Sequence, residues 1–184
     1  MKVTFTMLLI AFIALTSASA STLFEIDKDL SVVAVDVKAS PPHSFTVTLK
    51  DYEAEIQIDP VNKQIESVSF TFKFSDLDSK KKKRDKKMRK WMDIQKHPDV
   101  LFTLTAAEKI EGKTVGRGDF LMHGVSREIT IPFDLTVNGD KAILDGGTII
   151  NHHEWELETI SLLFLKVKPE LNIHFHLEGS LVED

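Results

Sequence analysis

A period of two between apolar and polar residues constrains the fold of this sequence more than any other feature. In the segment SVSFTFKF, residues 67–74, the apolar positions are Val68, Phe70, Phe72 and Phe74. Side chains alternate between the two faces of a strand, so this pattern predicts a half-buried β-strand. Two later segments repeat it, with the apolar positions Ile129, Ile131, Phe133, Leu135, Val137 and Leu171, Ile173, Phe175, Leu177. Pro132 falls on a polar face, where it predicts a bulge or a sheet edge.

Weaker strand patterns fill most of the remaining chain. They are residues 33–37, 45–49, 54–58, 101–106, 114–122, 142–150 and part of 155–165. Pro, Gly, Asn and Asp separate several of them, as turns require. Many short alternating strands with turn signals between them predict an all-β antiparallel sandwich or barrel.

A basic segment interrupts this rhythm. Between Lys80 and Lys90 only Asp85 and Met88 are neither Lys nor Arg. The segment from Lys80 to Met92 has no Gly, Pro or β-branched residue, and it places Met88 and Trp91 with Met92 on one face, which predicts a short amphipathic helix. We expect Asp76 or Ser79 to cap its N-terminus.

The N-terminus has the pattern of a cleavable signal peptide. Lys2 precedes the apolar run MLLIAFIAL, and Ala18-Ser19-Ala20 offers small residues for cleavage before Ser21. We therefore expect residues 1–20 to be removed and residues 21–184 to form one exported domain. Removing Lys2 makes an already acidic chain more acidic. Because a nucleic-acid-binding domain is normally basic overall, we expect no nucleic-acid partner for the basic segment.

The sequence offers no sign of a catalytic or cofactor site. It has no cysteine, which excludes disulfides, thiolate metal sites, c-type haem attachment and a lipoprotein anchor. It also lacks a nucleophile elbow, a phosphate-binding glycine loop and a His-Glu-x-x-His sequence. We expect a non-enzymatic protein without a cofactor, stabilised by its hydrophobic core.

Two stretches resemble the hallmarks of the YceI-like family. In residues 67–104, a strand leads into Arg84-Asp85, a short helix with Met88 and Trp91, the turn Lys96-His97-Pro98 and then Phe102. The second stretch, residues 116–137, contains His123-Gly124-Val125-Ser126 before another alternating strand. The resemblance covers about residues 24–178. We expect His123 to make an orienting hydrogen bond.

The resemblance implies a lipocalin-like antiparallel β-barrel of about eight strands, located in the bacterial periplasm. It also implies an apolar cavity that binds polyisoprenoid chains or related long-chain amphiphiles. The chain departs from the family pattern in two regions: NHHEWELETISLLFLKVKPEL replaces the usual C-terminal Arg with a Phe-Gly pair, and the helix is far more basic than the pattern requires.

Apolar side chains on the inward faces are the candidate cavity lining. They are Phe70, Phe72, Phe74, Phe102, Phe120, Ile129, Ile131, Phe133 and, from the helix, Trp91. The interior of an eight-strand barrel can be packed solid or can hold one slender ligand. The sequence leaves both alternatives open.

The basic helix has three interpretations. If it lies at the barrel mouth, phosphate oxygens of a lipid head group could bind Lys83, Arg84, Lys87 and Arg89. An anionic membrane surface would attract the same charges. Alternatively, the segment is a solvated face that maintains solubility. A homodimer is also compatible with the sequence.

Histidines provide an alternative function from another class. His152 and His153 adjoin Glu154, and His174 and His176 share a strand face. Imidazole and carboxylate groups are common ligands of transition metals. The alternative is therefore a histidine-dependent metal-binding or stress-associated periplasmic protein without a lipid ligand.

Overall fold

The computed structural model describes residues 21–40, 43–111, 113–162 and 165–182, so the predicted signal peptide lies outside the described residues. The described strands are β1 (Thr22–Ile26), β2 (Val32–Ala39), β3 (Ser44–Leu49), β4 (Glu53–Asp59), β5 (Gln64–Lys73), β6 (Leu77–Asp78), β7 (Asp99–Ile110), β8 (Lys113–Met122), β9 (Val125–Asn138), β10 (Lys141–Asn151), β11 (Ser161–Leu162) and β12 (Leu165–Val182). The helix α1 spans Lys82–Trp91, and two 3₁₀-helices span Phe74–Asp76 and His152–Trp155. No described helix has the length and apolar character needed to cross a membrane.

The strands form an antiparallel barrel. Their order is β1, β4, β5, β7, β8, β9, β10 and β12, and β12 pairs with β1 to close the ring. This confirms the predicted antiparallel barrel of about eight strands. Side chains along each strand of the ring alternate between the inside of the barrel, which is the core, and the outside, which faces solvent.

The long strand β12 has different neighbours at its two ends. Its last residues, from Gly179 to Val182, pair with β1, whereas residues between Val167 and His176 pair with β2. Next to β2 lies β3, which pairs in turn with β6. The helix α1 lies at this second end, where the Arg84 guanidinium covers the Phe45 ring of β3. We call it the helix end, and we call the opposite end, at β1, the far end.

Two predictions about the ends of elements were wrong. Phe74 lies in a 3₁₀-helix after β5, where the chain leaves the sheet toward α1. Of residues 155–165, expected to be strand in part, Ser161–Leu162 form a strand and Trp155 lies in the second 3₁₀-helix. Neither Asp76 nor Ser79 caps α1: the N-cap residue is Lys81, which makes no side-chain capping bond. Instead the Asp85 carboxylate accepts hydrogen bonds from the backbone N–H and the hydroxyl of Ser79. A helix side chain therefore ties the preceding segment to the first turn.

The far end of the barrel is packed solid. Phe24, Ile58 and Ala142 each retain at most 1% of their accessible surface, and all three belong to the continuous hydrophobic core. Burying large apolar side chains in this way is the main favourable contribution to folding. The far end therefore anchors the barrel, and any ligand space must lie toward α1.

Candidate functional site: an apolar chamber beneath the helix

The half of the barrel beneath α1 encloses a cavity of about 210 Å³. We call it the chamber. Its floor is formed by Ile56, Ile65, Leu144 and Leu177, which separate it from the packed far end. Only apolar atoms face the empty space. Empty apolar cavities of this kind exclude water and bind apolar ligands.

All the side chains predicted from the sequence to line a cavity do line the chamber. They are Phe70, Phe72, Phe74, Phe102, Phe120, Ile129, Ile131, Phe133 and Trp91. That they contact a lipid stays a prediction. The prediction missed the aliphatic side of the wall, where Val33, Val35 and Val47 from β2 and β3 line the same space. Their period-two spacing in the sequence carried this signal, but the strands are short and their patterns weak.

Aromatic side chains form one continuous side of the wall. Phe70 pairs with Phe102 across β5 and β7, and Phe102 pairs with Phe120 across β7 and β8. The row extends to Tyr52, whose ring centroid lies 4.9 Å from that of Phe70 in a stacked arrangement. Rings of neighbouring strands therefore present a broad apolar surface to the chamber.

One face of α1 forms the roof. Its chamber-facing residues are Arg84, Lys87, Met88 and Trp91, a spacing that places all four on one side of a helix. The Trp91 indole N–H donates a hydrogen bond of 2.6 Å to the carbonyl oxygen of Glu158. This bond fastens α1 to the segment that follows the second 3₁₀-helix.

The four predicted head-group residues divide into two pairs. Arg84 and Lys87 line the chamber, whereas Lys83 is exposed to solvent, and Arg89 is exposed and donates a 2.8 Å hydrogen bond to the Ser75 carbonyl oxygen. Lysine and arginine bury their aliphatic stems in this way while their charges remain near the surface. Arg84 and Lys87 are the basic residues closest to the chamber.

Arg84 is held firmly at the roof. Its guanidinium lies 3.7 Å from the Phe45 ring centroid and donates a 2.6 Å hydrogen bond to the Ser79 carbonyl oxygen. Burial lowers the pKa of Arg84, although Asp85 partly opposes this effect. The Arg84 Nε–H is buried without a protein acceptor. A buried donor in this condition favours an additional acceptor, such as water or a ligand oxygen.

The four candidate metal-binding histidines do not come together. The His152 ring is fully buried and lines the chamber, and its Nδ1–H donates to the Leu157 carbonyl oxygen at 3.0 Å. Burial lowers the pKa of His152. His153 is exposed and contacts the Thr159 hydroxyl at 2.9 Å. Within the described residues, no group of three or more His, Cys, Asp or Glu side chains is arranged to hold a metal ion.

His174 and His176 lie on the outer face of the barrel. The Nδ1 atom of His174 is 3.6 Å from the Asp36 carboxylate, and that of His176 is 2.6 Å from the Asp145 carboxylate. The hydrogen bond to Asp145 raises the pKa of His176. These histidines form pairs with surface carboxylates, away from the chamber.

The second 3₁₀-helix, His152–Trp155, fills the top of a gap in the barrel wall. Trp155 is fully buried, and its indole N–H donates to the Phe120 carbonyl oxygen at 3.0 Å. The predicted orienting bond of His123 is confirmed here, since its Nδ1 lies 3.1 Å from the Trp155 carbonyl oxygen. We call this 3₁₀-helix the wedge. It holds β8, β9 and β10 together where β9 and β10 no longer pair.

The gap lies between β9 and β10. Their ladder ends at the pair Phe133–Gly146. Beyond it, residues 125–132 pair with β8 and residues 147–151 pair with β12. Pro132 is therefore an exposed residue at a local sheet edge, as predicted. We call the unpaired stretch below the wedge, between residues 129–132 and 147–149, the window.

A barrel with a packed floor, a helical roof and an apolar chamber defines a class of closed antiparallel β-barrels with an internal apolar cavity. Residues 24–179 match the model of the YceI-like domain. The chain therefore belongs to the YceI-like family, as its sequence hallmarks indicate.

Individual relatives agree with this assignment. The UPF0312 protein plu2095 of Photorhabdus laumondii is 30% identical over 94 residues, which cover 50% of this chain and 49% of that protein. Protein YceI of Escherichia coli O157:H7 is 27% identical over 95 residues, which cover 50% of each chain. The match thus spans about half the length of these curated relatives.

Solved structures share the fold. BcnA of Burkholderia cenocepacia superposes with a TM-score of 0.74 at 21% identity, covering 85% of this chain and 100% of that protein. A domain from Saccharophagus degradans, described as a polyisoprenoid binding domain implicated in plant cell wall breakdown, gives a TM-score of 0.64 at 11% identity. That match covers 88% of this chain and 98% of the domain.

Proposed function

We propose that this protein is a non-enzymatic carrier or store for a polyisoprenoid or another long-chain amphiphile, with the hydrocarbon chain in the chamber. The observation that carries the proposal is a chamber of about 210 Å³ whose empty space meets apolar atoms only. Small-molecule sites are typically concave and apolar, with a few polar groups that fix orientation. The description of the Saccharophagus degradans domain supports a polyisoprenoid as the ligand class.

The head group of the ligand lies outside the chamber, at the edge of the roof. The chamber atoms that meet the empty space are apolar, so a charged group inside would lose its hydration without compensation. Arg84 and Lys87 face the chamber from α1. They are the residues in this proposal that contact the head group, and Lys83 and Arg89 contribute through the wider basic surface.

The exposed basic residues of α1 bring the roof to an anionic membrane surface. Lys82, Lys86 and Arg89, together with Asp85, line a shallow open groove on the helix. Basic residues near an anionic leaflet contribute about 1 kcal/mol each to binding. A protein exported by residues 1–20 into the periplasm would meet such surfaces on both enclosing membranes.

The test is direct binding by residues 21–184. A fluorescent long-chain polyene acid, cis-parinaric acid, should bind with one chain per protein and accept energy from Trp91, because Trp91 lines the chamber. Failure of this probe, geranylgeraniol and geranylgeranyl phosphate to bind would refute the carrier function.

Charge substitutions separate the two basic roles. Lys87→Gln should weaken the binding of geranylgeranyl phosphate more than the binding of geranylgeraniol, since the alcohol has no phosphate charge. The matched variant Lys83→Gln should leave the affinities for both isoprenoids nearly unchanged and should weaken binding to anionic vesicles. An equal loss for both ligands in Lys87→Gln would refute the head-group assignment.

A further inference from the structure

The window is a break in the strand pairing of the chamber's side wall. β10 pairs with β12 along its whole length, from Lys141 to Asn151, but with β9 only as far as Gly146. The break therefore affects one side of β10. On that side the wall consists of the two separated strand edges, with the wedge above and the Phe133–Gly146 pair below.

Apolar groups line the window from inside to outside. Ile129 and Ile131 on one edge, and Thr148 on the other, also line the chamber, so the window leads directly into the ligand space. Ile149 stands at the outer lip with 66% of its surface exposed. A large apolar side chain so exposed often marks a contact surface rather than packing.

Pro132 reduces the polarity of one edge. Its carbonyl oxygen faces Gly146 on β10, and in an antiparallel strand the N and O atoms of one residue point to the same side. The backbone N–H that proline lacks would therefore have pointed toward the window edge. This leaves one fewer hydrated donor in the path of an apolar chain.

The other boundaries of the chamber are fastened. In the roof, Trp91 donates to Glu158 and Arg89 donates to Ser75. The far end is filled by Phe24 and Ile58. Opening either boundary would break hydrogen bonds or expose core side chains, whereas the window lacks strand pairing already.

We propose that the window is the port through which a single flexible hydrocarbon chain enters and leaves the chamber while α1 stays in place. This inference rests on the proposed function. A port framed by the buried wedge and a paired strand suits one slender polyisoprenoid or acyl chain, and it excludes a rigid fused-ring ligand of greater width.

Cross-linking the outer lips of the window tests the port. Continuing the register of the β9–β10 ladder from Phe133–Gly146 places Thr130 opposite Ile149, and both side chains are exposed. Because the chain has no cysteine, Thr130→Cys with Ile149→Cys gives a unique pair, which a short bismaleimide can bridge outside the chamber.

Two further cysteine pairs provide the controls. Asp119 and Glu128 are exposed partners across the closed β8–β9 ladder, so bridging Asp119→Cys with Glu128→Cys reproduces the chemistry away from the window. Ser75→Cys with Arg89→Cys locks α1 to the rim, where the native residues are hydrogen-bonded; because Arg89 belongs to the basic surface, the bridged form is compared only with the same double variant before bridging. Stopped-flow energy transfer from Trp91 to cis-parinaric acid measures entry in each protein before and after bridging.

The port predicts that bridging the window slows entry and release at least tenfold, with little change in the controls. The final amount of bound probe should change less than the rates, because the bridge lies outside the chamber. An unchanged entry rate after bridging the window, or a loss of entry only when α1 is locked, would overturn the port. Absence of probe binding to the unbridged proteins would instead refute the proposed function on which the port rests.

Discussion

The two ends of the barrel use the same kinds of apolar side chain but differ in how they fill space. At the far end Phe24 of β1 lies across a narrow interior and is 1% exposed. At the helix end, Phe70 and Phe102 face Val33 and Val35 on the opposite wall, and the chamber remains between them. Apolar character alone therefore does not decide between core and cavity.

Truncating one phenylalanine at each end gives the largest expected contrast. Phe24→Ala should lower the free energy of unfolding by about 3–5 kcal/mol, the usual cost of removing a fully packed ring. Phe102→Ala should cost about half as much or less, because one side of this ring already faces empty space and forms fewer contacts. Urea unfolding measures both changes in the free energy of unfolding, provided that the variants have equal m values. Equal costs would contradict the description of a packed end and a hollow end.

Placing a larger side chain at each end should affect ligand binding at the helix end and stability at the far end. Val35→Trp should fill the chamber and weaken cis-parinaric acid binding by about 100-fold, which corresponds to about 2.7 kcal/mol, with little loss of stability. The matched change Ala142→Trp at the far end should destabilise the fold by about 1–3 kcal/mol or more, since that region has no spare volume. Titration of the probe and thermal unfolding of both variants provide the measurements. Unimpaired binding by Val35→Trp would place the ligand elsewhere.

A backbone position next to the wedge offers a smaller, stabilising change. Glu156 adopts a left-handed conformation with φ +58°, which costs a non-glycine residue about 1 kcal/mol. Glu156→Gly should therefore stabilise the protein by about 1 kcal/mol. The control Glu158→Gly lies two residues away, where φ is not positive, and it should not stabilise. A destabilised Glu156→Gly variant would show that the Glu156 side chain contributes more than its conformation costs.

The smallest expected effect is on the outer surface, far from the chamber. Because Asp145 raises the pKa of His176 above its usual 6.5, protonated His176 stabilises the fold below pH 6.5, and this contribution disappears as the pH rises through the raised pKa. His176→Gln should therefore lower the Tm slightly at pH 5.5 and leave it unchanged at pH 8.5. Ligand binding should be unaffected at both values. A constant Tm difference across this range would exclude the ion pair as its cause.

The sequence predicted antiparallel strands in a sandwich or barrel because period-two alternation is a local property, and the resemblance to the YceI-like family selected the barrel. Phe70 and Phe72, like Ile129 and Ile131, alternate with polar residues, which predicted that their side chains point inward. All four line the chamber. Some strand bounds were accurate to within two residues, as for β4, expected at 54–58 and found at Glu53–Asp59, whereas β12, with its expected apolar positions at 171–177, spans Leu165–Val182. β1 was not predicted, although it closes the ring through β12.

Features that depend on contacts distant in the chain escaped prediction. His152 suggested a metal ligand because imidazole neighbours a carboxylate in the sequence, yet its ring is buried against Trp91, with centroids 5.2 Å apart. Trp155 fits a strand pattern, but its bond to Phe120 draws it into the wedge. The window depends on where two strands separate, which no local pattern records.

The departure from the family pattern also becomes interpretable in three dimensions. In this region Trp155 is buried, and Glu156, the residue after it, has a left-handed backbone conformation. Glycine adopts this conformation more readily than other residues do. His152, two residues after Ile150, places an imidazole ring in the chamber lining.

The most direct test of the central claim is native mass spectrometry of the protein isolated gently from the cells that make it, followed by extraction and identification of bound molecules. We predict one long-chain isoprenoid or related amphiphile per protein, absent from the Val35→Trp variant prepared in the same way. A protein that carries no such molecule and that also fails to bind geranylgeraniol or cis-parinaric acid after purification would contradict a ligand-binding role for the chamber.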